Sequence, residues 1–353
     1  MNQTTYNQIK ELLDDSGLVP SKIKLEKPEP HYDFTNEIIL ITGAAGSIGS
    51  ELALQLLNSN YSKLILIDIA ESPLYNLIKA FEHEDVSNIE FLLLNITERD
   101  SLEYLFEKFK PTLVFHAAAY KHVPLMEAHP YEAVKTNILA TKLLADIAIK
   151  HGVKKFIFIS TDKAVNPVGV MGCSKLIAEN YLHTISKDSS TQFIITRFGN
   201  VIGSNGSVLP LFIKQIENEL PITITDDTAT RYFISKKKAC QLILEISNFE
   251  ALESEIFTFN MGAPIKIKDL ATCLMSLYPE QKINIIHVGL RPGEKHHEDL
   301  VTINEVLIPT KNPDILLVKQ SKGPIKTIDF HPLISITPFM TPEDIKLILK
   351  NSC

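Results

Sequence analysis

Short apolar runs rich in β-branched residues recur along the chain at Ile38–Thr42, Leu64–Asp68, Ile89–Leu94, Thr112–His116, Phe156–Ser160 and Phe193–Phe198. Runs such as KLILID and KFIFIS lack polar alternation, the pattern of strands buried on both faces. Helix-length segments lie between them, among them Glu51–Leu57 and Tyr131–Lys150, where Val134, Ile138, Leu143, Leu144 and Ile147 fall at helical spacing. This alternation predicts an α/β fold built on a doubly wound parallel sheet with helices on both faces. After about Phe198 the rhythm is broken by Gly203, Gly206, Pro210, Pro221, Pro264, Pro292 and Gly293, which predicts a smaller, irregular α/β C-terminal domain. Ile256–Asn260 again reads as a buried strand that rejoins the first sheet. The expected division is therefore discontinuous: a sheet domain over 36–202 plus 236–262, and a second domain over 203–235 plus 263–353. Residues 1–35 read as a helical extension and a Pro/Lys/Glu-rich linker. After about Val301 one element is legible, a helix opened by Thr341-Pro342-Glu343.

The 353 residues are 45% hydrophobic and 22% charged, the balance of a chain that folds, and their number suits about two domains. Lys plus Arg (35) against Asp plus Glu (42) leaves a net charge of −7. Nucleic-acid binding through a basic field is not expected, and Lys236-Lys237-Lys238 reads as a solvated helix start. Cys173, Cys240, Cys273 and Cys353 have neither C-x-x-C nor metal-finger spacing, so no disulfide and no metal site is expected. The opening MNQTTYNQIKELLDD has no apolar targeting segment, and no apolar run approaches the ~18 residues of a membrane span. A reduced, cytoplasmic protein is expected.

The first predicted strand runs straight into Gly43-Ala44-Ala45-Gly46-Ser47-Ile48-Gly49 and then a helix. Glycines let the backbone turn tightly and approach a pyrophosphate, and the helix N-terminus offers free N–H groups to it. The spacing is G-x-x-G-x-x-G, and with strand, helix and second strand in place around the loop a Rossmann dinucleotide site is expected there. Asp68 ends the second strand with no arginine beside it, so its carboxylate suits both adenosine ribose hydroxyls and repels a 2′-phosphate; NAD is preferred to NADP.

The fourth strand ends in His116-Ala117-Ala118-Ala119 and the fifth in Ser160-Thr161-Asp162-Lys163, followed by Met171-Gly172-Cys173-Ser174-Lys175. Ligands bind beyond the carboxyl ends of parallel strands, so these segments should converge on one crevice. With HAAAYKHVPLME, STDKAVNPVGVMGCSK, RFGNVIGSNGSVLP, TRYF and GLRPGEK, the chain resembles the extended short-chain dehydrogenase/reductases from about Ile38 to Leu300. Within them it is most similar to the bacterial UDP-N-acetylglucosamine 4,6-dehydratases of polysaccharide biosynthesis, in the branch that retains configuration at C5. Members of that branch often carry N-terminal transmembrane helices, and this chain reads as the free catalytic part.

The resemblance implies oxidation at C4, elimination of water across C5 and C6, and hydride return to C6. It implies that Asp162 is the general acid at the C6 hydroxyl, Lys163 the C5 base, Thr161 a hydrogen-bond partner near the C4 oxygen and Lys175 a ligand of the nicotinamide ribose. The superfamily places tyrosine where Met171 stands. A thioether has no proton to transfer, but the 4,6-dehydratases include members with methionine there. NAD is implied at Gly43, Gly46, Ser47, Ile48, Gly49, Asp68, Asn95, Ile96, Ala117, Ala118 and Ala119. The UDP-sugar is implied at Lys121, His122, Glu127, Asn200, Ser207 and Val208, with Arg231 and Arg291 at the diphosphate or uridine and Glu294 at the ribose. The superfamily also implies a homo-oligomer paired through helices of the first domain. His296-His297-Glu298-Asp299 is not read as a metal site, because adjacent helical histidines diverge. His116 reads as a satisfied buried histidine. Three alternatives stay open: a C5-inverting dehydratase, a nucleotide-sugar 4-epimerase, against which Met171 speaks, and a non-catalytic NAD-binding protein.

Overall fold

The computed structural model describes residues 1–19, 31–249, 254–321 and 327–353, so most of the expected linker lies outside the described residues. The chain opens with α1 (Gln3–Ser16), then β1 (Asp33–Thr42), α2 (Ser47–Leu56), β2 (Asn60–Asp68), α3 (Glu71–Ala80), β3 (Ile89–Leu93), α4 (Arg99–Phe109) and β4 (Leu113–His116). Next come α5 (Val123–Ala128), α6 (Pro130–Ala133), a π-helical turn (Val134–Leu139), α7 (Ala140–Lys150), β5 (Lys155–Ile159), a 3₁₀ turn (Asp162–Ala164), α8 (Val170–Ser186) and β6 (Gln192–Arg197). The second half adds β7 (Asn200–Ile202), α9 (Val208–Glu217), β8 (Ile222–Ile224), β9 (Thr230–Arg231), β10 (Phe233–Ser235), α10 (Lys236–Ser247) and β11 (Glu255–Phe259). It closes with β12 (Ile265–Lys266), α11 (Ile267–Met275), β13 (Ile285–His287), β14 (Glu305–Pro309), β15 (Ile315–Gln320), α12 (His331–Ile334) and α13 (Pro342–Ser352).

Nine strands form one sheet in the order β14-β15-β11-β6-β5-β4-β1-β2-β3. Every pairing from β11 to β3 is parallel, as the unalternating apolar runs require. Successive residues of β1 serve opposite faces: Ile39 and Ile41 pack with α2 and α10, while Leu40 packs with α4, α7 and α8. Because β1 lies between β2 and β4, the chain reverses its winding there and opens a crevice at the carboxyl ends of the strands.

Three features differ from the sequence reading. Residues 305–320, expected in the second domain, extend the large sheet instead: β15 pairs antiparallel with β11, and β14 with β15. Antiparallel edge strands lack the strand–helix rhythm that marks the others. The single helix expected over Tyr131–Lys150 is interrupted by the π-helical turn, an insertion that apolar spacing does not register. Helix α1, expected as an extension, contributes Ile9, Leu12 and Leu13 to the core of the smaller lobe beside Leu209 and Phe212 of α9 and Leu270 and Leu274 of α11. Ile256–Asn260 does rejoin the first sheet, through the parallel β11–β6 ladder.

Candidate active site

At the end of β1 the backbone turns at Gly43 with φ +66°, and a Cβ there would lie 2.7 Å from the Ala118 backbone. A Cβ on Gly49 would lie 2.2 Å from the Gly43 carbonyl oxygen, so α2 packs on the loop only because that atom is missing. Gly46 is the residue before α2 and brings no capping side chain, which leaves the first N–H groups of the helix to the crevice. Asp68 accepts from Ala45 N and Ala70 N, each at 2.9 Å, and so braces the loop. Ser47 Oγ accepts from Asn205 N at 3.0 Å, joining the cradle to the smaller lobe, and Ile48 packs on the core below. Asn95 Oδ1 accepts from Thr97 N and Oγ1, with Ile96 buried behind it. This cradle, with a carboxylate at the end of the second strand, fits a dinucleotide.

His116 is wholly buried and belongs to the scaffold. Thr42 Oγ1 is 2.7 Å from its Nδ1 and Thr141 Oγ1 is 2.9 Å from its Nε2. Thr141 donates its own proton to the Asn137 carbonyl, so it accepts from Nε2–H. Burial pushes the imidazole down to about 3, with the Lys175 charge adding to the effect, and the ring stays neutral.

The chemistry-bearing groups meet just beyond β5. Asp162 is 0% exposed; its Oδ1 accepts from Thr161 Oγ1 at 2.9 Å and Lys163 Nζ at 3.0 Å, and its Oδ2 is buried with no hydrogen-bond partner among the described residues. Lys163 Nζ also donates to Asn200 Oδ1 at 3.0 Å and lies 3.5 Å from Glu298 Oε1. Burial favours its neutral amine, but Asp162 and Glu298 outweigh that and hold Lys163 above the ordinary lysine range, Arg231 opposing them. Lys175, one turn into α8, is 5% exposed, and its Nζ lies 3.8 Å from the centroid of the Phe158 ring. Burial pushes it down to about 7, against the pull of Glu179. Met171 is buried among Met126, Val134, Ile138 and Ile177. Ala117 and Ala118 hang from Thr42 by their N–H groups, and Ala119 continues into the crevice.

The candidate substrate residues divide. Ser207 precedes α9 without capping it, its Oγ buried and unpartnered, while Val208 packs into the small-lobe core. Lys121 is exposed, and a Cβ on Gly206 would lie 2.5 Å from the His122 ring. Arg291 is paired with Glu294 (Nε–Oε1 3.0 Å) at the exposed rim, and these hydrogen bonds hold Glu294 low against the opposing effect of burial. Two residues are held by the protein itself. Glu127 accepts from Val170 N at 2.7 Å, capping α8, and pairs with Lys346 at 3.3 Å. Arg231 donates to the carbonyls of Thr230, Lys295 and His296. His296 faces Asp226, and His297 faces Thr230.

Reading the sequence missed Glu298, weighed there only as a metal ligand, and Asn137, whose amide bonds both N–H and C=O of Tyr120 and the Ser174 hydroxyl. It also missed a buried ion cluster in which Glu179 grips Arg197 by two nitrogens and Glu305 takes a third. Each joins segments remote in sequence, so no local spacing marks it.

A family model described as polysaccharide biosynthesis protein matches residues 39–320. The capsular polysaccharide biosynthesis protein CapD of Staphylococcus aureus is 41% identical over 305 residues, 85% of this chain and 51% of that protein. This chain thus spans about half the length of that relative. A UDP-N-acetylglucosamine 4,6-dehydratase (inverting) of Campylobacter jejuni is 36% identical over 283 residues, 77% of this chain and 79% of that protein. Among solved structures, Pen from Bacillus thuringiensis superposes with a TM-score of 0.74 at 33% identity, covering 81% of this chain and 90% of that one. With the Rossmann crevice, these matches show that the chain belongs to the polysaccharide biosynthesis protein family.

Proposed function

We propose that the chain is an NAD-dependent 4,6-dehydratase that converts UDP-N-acetylglucosamine to UDP-2-acetamido-4-keto-2,6-dideoxyglucose with configuration retained at C5. The observation that carries this reading is Asp162: a wholly buried carboxylate just beyond β5, with one oxygen bonded to Lys163 and the other without a hydrogen-bond partner among the described residues. A buried polar atom is costly without a partner, and a bound hydroxyl supplies one.

NAD, held in the glycine cradle, supplies a reversible hydride store, so C4 is oxidised and C6 reduced with no external oxidant. Asp162 and Lys163 divide the proton traffic. A proton passed along their 3.0 Å contact leaves an amine to take the C5 proton and a carboxylic acid to protonate the departing C6 hydroxyl. Loss of water restores the ion pair, and Lys163 returns its proton to C5. The C4 hydroxyl proton given up at oxidation leaves to solvent, and a solvent proton restores the Lys163 ammonium once C5 has been reprotonated, so the cycle closes; Thr161 donates to Asp162 at 2.9 Å. Met171 has no part in this traffic. An epimerase of this superfamily needs a titratable group at that position, which favours dehydration.

The test is incubation of the purified chain with UDP-N-acetylglucosamine, without and then with added NAD, followed by proton NMR. A C6 methyl doublet with gluco ring couplings is expected. Couplings of the arabino ketone would reassign C5 to inversion, and a galacto product without a methyl signal would make the protein an epimerase. No change in NAD-loaded protein would overturn the reading.

A further inference from the structure

Lys163 has three oxygen neighbours, and the third comes from a distant part of the chain. Nζ donates to Asp162 and Asn200, and Glu298 Oε1 stands 3.5 Å away as an ion-pair partner. The Glu298 side chain is 3% exposed. Its other oxygen lies 3.3 Å from Lys295 Nζ, which donates to the Val165 carbonyl at 2.7 Å. Asn166 donates to Asp299 at 3.3 Å, and Arg231 fixes the carbonyls of Lys295 and His296 at 2.7 and 3.0 Å. Residues 295–299 are therefore fastened to β9 on one side and to the 161–166 loop on the other.

We propose that Glu298 is a positioning residue for the reaction: it holds the Lys163 side chain on Asp162 and makes that geometry depend on how the 291–299 segment is seated. The same segment carries Arg291 and Glu294 at the rim, so what binds there is coupled through rigid contacts to the reacting end. The charged groups facing Lys163 are Asp162, Glu298 and Arg231, with Lys295 behind Glu298. Without the Glu298 charge, Asp162 alone opposes two neighbouring cations, the amine loses its proton more readily, and its side chain is free to leave Asp162. The catalytic meaning rests on the dehydratase reading, whereas the geometry does not.

The experiment is reductive methylation of Lys163 with formaldehyde and cyanoborohydride in the NAD-loaded chain, read by peptide mass mapping for wild type, Glu298→Gln and Glu298→Asp. Thermal unfolding and UDP binding are followed alongside. Labelling of Lys163 at about pH 8 should rise about tenfold in Glu298→Gln, the effect of a one-unit fall in its pKa, and return toward wild type in Glu298→Asp. With UDP-N-acetylglucosamine, Glu298→Gln should lose kcat while keeping KM, and its pH–rate profile should move to lower pH. Labelling of Glu298→Gln at the wild-type rate would overturn the proposal. So would equal labelling of both variants with UDP binding lost, since that marks collapse of the segment. If wild type makes no dehydrated product, the dehydratase reading fails, and the labelling still decides the role of Glu298.

Discussion

Lys163 and Lys175 stand on neighbouring segments of one crevice, and burial acts on them with opposite net results. Lys163 has two carboxylates within reach and stays an ammonium; Lys175 has an aromatic face and, among the described residues, no hydrogen-bonded carboxylate, and titrates near 7. In the unfolded chain Lys175 would titrate at about 10.4. Below pH 7 both states hold the proton and the folded one bears the cost of burying it. Above 7 the folded state releases it first, so stability rises with pH toward the ordinary lysine range, by at most about 1.4 kcal/mol per unit. Urea unfolding of the NAD-free protein at neutral and mildly alkaline pH should show wild type gaining on the order of 2 kcal/mol relative to Lys175→Met. Parallel profiles would refute the shift. At the same scale, Asp162→Asn removes an acid without changing shape. It should lower kcat by roughly 10²–10⁴-fold with NAD affinity unchanged, as measured by product NMR and cofactor titration. The Thr161-Asp162-Lys163 run was legible as a motif. That Glu298 holds the lysine from the far side was not, because nothing adjacent in sequence signals it.

At the scale of elements, the glycine loop was legible because its requirement is local: a strand, a tight turn and a helix in succession. Gly49→Ala should abolish dinucleotide binding, since its Cβ would fall 2.2 Å from the Gly43 carbonyl and force α2 off the loop. Titration of NAD against the intact variant would measure it, and retained affinity would show that the loop yields. The π-helical turn is the opposite case. Spacing over 131–150 gave a continuous helix, yet Asn137 turns inward to bond the backbone of Tyr120 on the strand-four loop and the Ser174 hydroxyl on α8. A widened turn at a functional crevice is common, and this one carries the long-range polar contacts of Asn137.

Across the molecule, the C-terminal strands are joined to the catalytic core by charge as well as by backbone. Arg197 at the end of β6 lies between Glu179 of α8 and Glu305 of β14, with side chains 5%, 1% and 6% exposed, and Ser160 donates to Glu179. Arg197→Met would strand two buried carboxylates and should cost about 3–5 kcal/mol. Glu305→Gln leaves the two-pronged Glu179 contact and should cost about 1–3 kcal/mol. The double variant should fall short of the sum in urea unfolding, because the groups share one network; strict additivity would argue against it.

Hydrophobic runs buried on both faces, the glycine loop and the residues closing β2, β4 and β5 depend on neighbours a few positions away, so the parallel sheet, its crevice and the Asp162–Lys163 pair could be read directly. Which carbonyls Arg231 bonds, which helix start Glu127 accepts from, where residues 305–320 pair, and which carboxylate meets Lys163 depend on segments that adjoin only after folding. Those contacts are set by packing and by the need of every buried charge for a partner, and a single linear pattern does not encode which partner that is.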